Sequence, residues 1–148
     1  MPNTASSSDP SSPSRLLQVL YVSRVAPDVG HREIRAILEH SRRRNRMLDV
    51  TGCLTCTGRH FAQVIEGRAE AVQALVGRIS LDPRHEGMRR VLERAIATRQ
   101  YPMWSMAYLY DDALDDMLEL HIERDADDPA AALRTLRRIK PDTVMGAL

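Results

Sequence analysis

The chain has 148 residues, enough for one domain with its own hydrophobic core. Its 21 Lys and Arg residues nearly balance its 20 Asp and Glu residues, so no net field directs the molecule toward nucleic acid or an anionic membrane. No apolar run approaches the ~18 residues that a membrane-spanning helix needs, and the N-terminus lacks the apolar core of a secretory signal. We therefore expect a soluble cytoplasmic protein that binds neither nucleic acid nor membrane.

The composition changes along the chain and divides it into three segments. Residues 1–14 are rich in Ser, Pro and Asp and predict a disordered N-terminal tail. Residues 15–110 carry the strand and helix patterns of a folded domain. Residues 111–148 return to helical spacing and predict a C-terminal helical extension, which is expected either to cover the second face of the sheet or to help build a dimer.

Strands and helices alternate within the central segment. Period-two runs of apolar residues predict strands, and apolar residues at three- and four-residue spacing predict helices. In chain order the predicted elements are a strand at 16–23, a helix at 31–46, a hairpin of strands at 51–56 and 61–67, a helix at 70–79, and strands at 91–96 and 104–110. This β-α-β-β-α-β-β order predicts a ferredoxin-like α+β sandwich, with both helices on one face of a mixed sheet.

The two cysteines, Cys53 and Cys56, form a C-x-x-C pattern that in other contexts indicates redox or metal chemistry. Here they fall in a predicted strand, where residues three apart face opposite sides of the sheet. At ~3.3 Å per residue they lie about 10 Å apart, beyond the ~7 Å limit for a disulfide. The pattern therefore predicts two small strand residues, and we expect no metal site.

Four polar side chains fall on the apolar faces of the predicted elements. Tyr21 and Gln63 alternate with apolar residues on the core faces of their strands. At 100° per residue, Ser41 and Asn45 fall on the apolar stripe of the first helix. Each helical residue has an ordinary structural explanation, a hydroxyl bonded back to the helix for Ser41 and a C-terminal cap for Asn45. Because an unpaired buried polar group costs about 1–3 kcal/mol, the four together favour a planar, polar-edged ligand between sheet and helix.

Two charged runs are interpreted as solvated surfaces. The basic run at 42–46 lies mostly off the apolar stripe of its helix and lacks the aromatic companions of a nucleic-acid site. The acidic stretch at 111–128 is interpreted as a solvated helix face with a linker, and a partner-binding surface is the alternative.

Six segments resemble the signature of the BLUF family, the blue-light sensors that use FAD. They are YVS (21–23), SRRRN (41–45), TGCL (51–54), FAQVIEG (61–67), DPRH (82–85) and WSM (104–106). The match extends from about Leu16 to Leu109, nearly the whole predicted domain. One such motif alone is weak evidence, whereas six in the right order and spacing are specific.

The resemblance implies a light-driven switch of hydrogen bonds. By matching position, Tyr21 and Gln63 are the photoactive pair, and light leaves the Gln63 amide rotated or tautomerised with a small red shift in absorption. Trp104 and Met106, two apart on the predicted last strand, are implied to respond to this change.

The resemblance also implies non-covalent binding of FAD between the two helices, with the isoalloxazine ring against the sheet. The implied cofactor-binding residues are Tyr21, Ser41, Asn45, Gln63, Arg84 and His85. Arg84 and His85 fall where the family has charged residues near the ribityl and phosphate end. The chain departs from the family pattern at Ala62, at Thr55 and Cys56, and at Arg44, changes expected to give a roomier or more polar pocket.

The resemblance implies a sensor that catalyses no reaction itself. Residues 111–148 are too short for a cyclase or phosphodiesterase, so signalling is expected through an unidentified downstream protein or the chain's own homo-oligomer. The alternative is a flavin-free interaction module of the same fold. An acylphosphatase-like enzyme is disfavoured because Arg24, after the first strand, lies in no glycine-flanked phosphate loop.

Overall fold

The computed structural model describes residues 15–124 and 128–139, which form a five-stranded sheet with helices on both faces. The tail predicted at 1–14 lies outside the described residues. The elements are β1 (Leu16–Val25), α1 (His31–Leu48), β2 (Thr51–Cys56), β3 (His60–Arg68), α2 (Ala69–Ile79), β4 (His85–Ile96), β5 (Ala107–Tyr110), a 3-10 helix (Asp112–Leu114), α3 (Asp115–Glu123) and α4 (Pro129–Arg138). The predicted element order is confirmed.

The sheet has the strand order β4-β1-β3-β2-β5 and is mixed. β1 pairs antiparallel with β3 and β4, β2 pairs antiparallel with β3, and β2 pairs parallel with β5. The predicted ferredoxin-like α+β architecture is therefore confirmed. β1 and β3 are central strands, and their register places Tyr21 directly opposite Gln63.

The first helix, α1, is bounded by recognisable caps. At its start the Gly30 backbone N–H donates to the Glu33 carboxylate at 2.8 Å, which satisfies one of the free amides of the first turn. It ends at Leu48 because Asp49 adopts φ 55°, the left-handed conformation that closes many helices. None of the helices in residues 15–124 and 128–139 has both the length and the apolarity needed to cross a bilayer.

The helices after β5 cover the face of the sheet opposite α1 and α2. They pack on a core cluster that contains Leu20, Val22, Cys53, Ala62 and Val64 from the strands and Leu114, Leu118, Leu136 and Ile139 from the helical segment. Covering the second face was one of the two arrangements expected from the sequence. The Pro129 ring lies in the first turn of α4, where a missing N–H costs no helical hydrogen bond.

Leu118 tests how much α3 contributes to this core. Its side chain is fully buried, so Leu118→Ala should lower the free energy of unfolding by about 2–5 kcal/mol through lost apolar contacts and the cavity left behind. Leu120, on the same helix, is 47% exposed, and Leu120→Ala should cost well under half as much. Urea unfolding of both variants checks the difference, and equal losses would contradict the packing of α3.

Polar contacts attach α3 to the sheet at its edge. Asp115 accepts hydrogen bonds from the Thr57 hydroxyl (2.7 Å), the Arg59 guanidinium and His60 Nδ1 (2.6 Å). Glu119 accepts from Arg24 (2.6 Å) and from His60 Nε2 (2.6 Å). Burial acts against ionisation of Asp115, but the hydrogen bonds from Thr57, His60 and Arg59 outweigh it and lower the pKa of this carboxyl to about 2. The hydrogen bonds from Arg24 and His60 lower the pKa of Glu119 to about 2 as well.

Because of these two carboxylates, the free energy of unfolding depends on pH in the acid range. Their pKa values in the folded protein lie below the ordinary values of 3.8 and 4.5, so their contribution is fully present above pH 4.5 and is lost as the pH falls toward 2. We expect urea unfolding to show a falling free energy over this window. The double variant Asp115→Asn/Glu119→Gln should show a smaller fall, and an equal fall would contradict the assignment to these two groups.

Two strands begin at least three residues away from their predicted starts. β4 begins at His85 instead of residue 91. Its pairing with β1 shifts in register beside Leu20 and Val22, and these irregularities interrupt the period-two pattern by which the sequence would reveal a strand. β5 begins at Ala107 instead of residue 104. Trp104 and Met106 therefore lie in the loop before β5, and their predicted placement on the strand is wrong.

The cysteines behave as the strand pattern predicts. Cys53 packs in the cluster under α3 and α4, whereas Cys56 packs in a cluster with Leu38 of α1, on the other face of the sheet. Both thiols are buried and free. Burial raises the pKa of Cys53 to about 12, which keeps it protonated.

Candidate functional site

A cleft lies between α1, the sheet and the connection from α2 to β4. It combines apolar side chains, which suit a flat ring, with polar groups that are able to fix its orientation. The lining residues are Tyr21, Ile37, His40, Ser41, Arg44, Leu54, Phe61, Gln63, Arg78, Ile79, Asp82, Arg84 and His85. Five of the six predicted cofactor-binding residues are among them, and the exception is Asn45.

Tyr21 and Gln63 form a hydrogen-bonded pair at the inner end of this cleft. Each is 3% exposed, and the Tyr21 hydroxyl donates to Gln63 Oε1. Burial raises the pKa of Tyr21 above its ordinary value, although Arg44 acts in the opposite direction. The hydroxyl therefore keeps its proton and remains a hydrogen-bond donor.

Met106 completes the surroundings of the Gln63 amide. Gln63 Nε2 donates to the Met106 sulfur at 3.3 Å, and Met106 is fully buried. A thioether accepts hydrogen bonds weakly and donates none, whereas a phenol does both. If the amide turned over, Nε2 would face the Tyr21 oxygen and Oε1 would face a sulfur with no proton to give. Turning the amide over thus reverses the hydrogen bond between Tyr21 and Gln63 and gives up the weak bond to the Met106 sulfur.

The predicted polar residues of α1 lie on its buried face. Ser41 is 5% exposed and Asn45 is fully buried. Asn45 Nδ2 donates to the backbone carbonyl of Ser105 at 2.7 Å, so its side chain links α1 to the loop before β5. α1 continues to Leu48, so the interpretation of the Asn45 side chain as a C-terminal cap is wrong.

Two polar atoms on this part of α1 have no hydrogen-bond partner among the described residues. They are Asn45 Oδ1 and Arg44 Nε, and both are buried. Leaving such groups unpaired costs about 1–3 kcal/mol each, so both are candidates to bind a molecule that carries a donor and an acceptor on its edge. An isoalloxazine ring carries N–H and C=O groups of this kind, and the residues present fit it.

The opposite wall of the cleft is held by its own hydrogen bonds. Arg84 binds Asp82 at 2.6 Å, an interaction that lowers the pKa of the Asp82 carboxyl. His85 Nε2 donates to the Ile79 carbonyl at 2.6 Å, and its Nδ1 lies 3.0 Å from the Ser23 hydroxyl. The predicted residues Arg84 and His85 thus reach the cleft, with Arg84 already paired to a carboxylate.

The sequence did not single out His40 or Arg78 as site residues, and Arg44 appeared there only as a departure from the family pattern. All three line the cleft. Burial lowers the pKa of His40, and the positive charge of the nearby Arg44 adds to this effect. In the sequence these residues lie beside the apolar stripes of α1 and α2, a position that also suits ordinary solvated charges.

Trp104 lies apart from Tyr21 and Gln63. Its side chain is half-buried and packs on the core cluster under α3 and α4, while its backbone carbonyl accepts from Gly52 N–H at 3.1 Å. Of the two residues expected to respond to the switch, the structure brings only Met106 into contact with Gln63.

Comparison with known proteins decides the family. A sequence model of the family described as "Sensors of blue-light using FAD" matches residues 16–107. The chain belongs to the BLUF family. These blue-light sensors bind flavin, and the match includes every predicted photoactive and cofactor-binding residue.

Similar proteins carry the BLUF sequence in longer chains. The blue light- and temperature-regulated antirepressor BluF of Escherichia coli (strain K12) is 33% identical over 107 residues, which cover 70% of this chain and 26% of BluF. Photoactivated adenylate cyclase subunit beta of Euglena longa is 30% identical over 102 residues, or 68% of this chain and 12% of that protein. This chain thus matches about a quarter or less of these two relatives.

The fold matches a solved BLUF structure over most of both chains. The dark-state structure of the BLUF protein BlrB superposes with a TM-score of 0.70 at 32% identity, covering 85% of this chain and 96% of that one.

The departures from the BLUF pattern mostly lie away from the cleft. Ala62 is in the core cluster under α3 and α4, and its β2 partner Thr55 lies on the same side of the sheet by alternation. Neither lines the cleft, so the expectation that they enlarge or polarise it is wrong. Arg44 does line it and is the departure that changes its polarity.

Proposed function

We propose that this BLUF chain binds FAD in the cleft and signals blue light by changing the hydrogen bonds of Gln63. The observation that carries the proposal is the buried chain from Tyr21 through Gln63 to Met106 at the inner end of the cleft. FAD would supply the absorption of blue light. Side chains of the protein would position the flavin and carry the change in hydrogen bonds.

The side chains of α1 would position the ring. Asn45 Oδ1, which is buried and has no partner within residues 15–124 and 128–139, would accept a hydrogen bond from the ring, while Nδ2 of the same amide remains bound to the Ser105 carbonyl. Ser41, one helical turn before Asn45, would add a hydroxyl on the same face. We assign the apolar contacts to Ile37 and Leu54, which line the cleft.

The phosphates of FAD would lie along the cationic wall of the cleft. Arg44, Arg78 and Arg84 line the cleft, and Asp82 is the one acid among its lining residues. Because Asp82 already holds Arg84, the contacts to phosphate are proposed to involve Arg78 as well as Arg84 and His85. Arginine suits this role since its planar guanidinium pairs with phosphate oxygens in two places.

Tyr21 and Gln63 would carry out the switch. The Tyr21 hydroxyl donates its proton in a hydrogen bond to Gln63 Oε1. Rotation or tautomerisation of the amide would exchange the donor and the acceptor that Gln63 presents to Tyr21 and to the cleft. This exchange would affect Met106 directly, because its sulfur contacts the Gln63 amide. Trp104, two residues earlier in the same loop, would follow through the backbone.

The output is proposed to pass to another protein or through a homo-oligomer, without a reaction catalysed by this chain. The names of the two relatives describe an antirepressor regulated by blue light and a photoactivated adenylate cyclase, so in both a BLUF sequence accompanies a light-regulated activity. Arg24, the candidate for an acylphosphatase-like role, is held by Glu119 on α3 and lies outside the cleft.

Absorption spectroscopy tests the proposal. The purified protein is incubated with FAD, freed of unbound flavin, and measured in darkness, under blue light and again in darkness. We expect a bound-flavin spectrum that shifts to the red and recovers. A protein that stays colourless would favour the flavin-free interaction module, and bound flavin without a shift would contradict the assigned roles of Tyr21 and Gln63.

A further inference from the structure

His60 lies on β3 three residues before Gln63, on the opposite face of the sheet. Residues of β3 alternate, so Gln63 faces the cleft while His60, Ala62 and Val64 face α3 and α4. The His60 side chain is only 5% exposed. Its polar atoms must therefore find partners within the protein.

Both ring nitrogens of His60 bind carboxylates on α3. Nδ1 lies 2.6 Å from Asp115 Oδ1, and Nε2 lies 2.6 Å from Glu119 Oε1. Asp115 and Glu119 are four residues apart and share one face of the helix. Because an ionised carboxylate only accepts, both ring nitrogens must donate, and only the imidazolium form does so. His60 thus joins β3 to two successive turns of α3 by charge-assisted hydrogen bonds.

On β1, the strand paired with β3, a second cation binds α3. In the β1–β3 ladder Tyr21 pairs with Gln63, and Arg24 pairs with His60 three positions along. Arg24 binds Glu119 through two nitrogens at 3.1 and 2.6 Å. The same stretch of the β1–β3 ladder therefore carries Tyr21 and Gln63 on the cleft face. At one end of this stretch it carries Arg24 and His60, the two cations that bind α3.

We propose that His60 is a positioning residue that couples the Gln63 switch to α3. The proposal rests on the proposed function, because it needs a light-driven change at Gln63. A shift of β3 that follows rearrangement of the Gln63 amide moves the imidazolium relative to Asp115 and Glu119. Two short hydrogen bonds in fixed directions tolerate little displacement, so the first turns of α3 follow the strand or detach from it.

Hydrogen exchange of the α3 amides tests the coupling in the full chain loaded with FAD. We expect exchange in residues 115–123 to differ between darkness and blue light in the unchanged protein. In His60→Gln the flavin red shift should persist, because the substitution leaves the cleft intact, while the light-minus-dark difference in α3 is lost. A merely structural role would raise exchange equally in both conditions.

Two further variants make this experiment decisive. Arg59→Ala removes an exposed donor to Asp115 but leaves His60 in place, so the difference in α3 should be retained. Glu119→Gln removes the charged partner at one end and should reduce the difference, which keeps the test available if His60→Gln does not fold.

The outcomes separate this proposal from the proposed function. A red shift in the unchanged protein without any difference in α3 overturns the coupling and leaves the sensor function standing. A difference retained in His60→Gln, or lost equally in Arg59→Ala, also overturns it. Absence of the red shift in the unchanged protein overturns the proposed function and the coupling with it.

Discussion

Gln63→Leu is expected to bind FAD and to lose the light-induced red shift completely. Leucine fills much of the same buried volume, but it offers no atom to accept from the Tyr21 hydroxyl or to donate to the Met106 sulfur. The switch requires a group with both a donor and an acceptor that exchange places, and leucine has neither. Dark and blue-light absorption spectra of the loaded variant measure the effect.

The same substitution at an exposed glutamine provides the control. Gln73 lies on the surface of α2, where it contacts Arg90 and Glu93, and Gln73→Leu should show the full red shift. Gln63→Leu also leaves the buried Tyr21 hydroxyl without its acceptor, so a loss of about 1–3 kcal/mol in the free energy of unfolding is expected. A normal red shift in Gln63→Leu would remove Gln63 from the switch.

Gly52→Ala is expected to lower the free energy of unfolding by about 3 kcal/mol or more. A Cβ at this position of β2 would lie 2.0 Å from the backbone carbonyl oxygen of Val64 on β3. A flexible side chain would move away from such a clash, but a backbone atom in the centre of the sheet moves only if the β2–β3 pairing shifts. Since Gln63 is the neighbour of Val64, FAD binding should be weakened as well.

Gly77 is the matched control for this substitution. It lies on the exposed side of α2 with no atom within 4 Å of an added Cβ, and its φ is not positive. Alanine in a helix interior is favoured over glycine by about 0.5–1 kcal/mol, so Gly77→Ala should raise the free energy of unfolding. Urea unfolding of both variants should therefore give changes of opposite sign, and a neutral Gly52→Ala would contradict the close approach of β2 and β3.

The sheet separates the proposed sensing chemistry from the proposed output. Tyr21, Ser41 and Gln63 line the cleft on the side of α1 and α2, whereas α3 and α4 pack on the other side. A signal that starts at Gln63 therefore has to cross the sheet. The loop before β5 gives one route through Met106, and the ladder that carries Arg24 and His60 gives another.

The sequence by itself determined the type and order of the elements in the central domain and four of its buried polar positions. Period-two and helical spacing depend on neighbouring residues alone, so they predicted the strands, the two helices and the opposite facing of Cys53 and Cys56. The same spacing placed Tyr21, Ser41, Asn45 and Gln63 on inward faces. Six motifs in register then identified the family, since their order and spacing are specific even where single motifs are weak.

Only the tertiary structure decided where the loops lead and which polar residues meet. Trp104 and Met106 alternate as in a strand, but the backbone N–H groups of Gln100 and Tyr101 bind the buried Glu66 carboxylate, and the strand starts only at Ala107. His60 gave no signal in the sequence, because its partners Asp115 and Glu119 are more than fifty residues away and belong to a run of acids that suits a solvated helix face equally well. Local spacing fixes the direction of a side chain relative to its own element, whereas its partner depends on how distant elements pack.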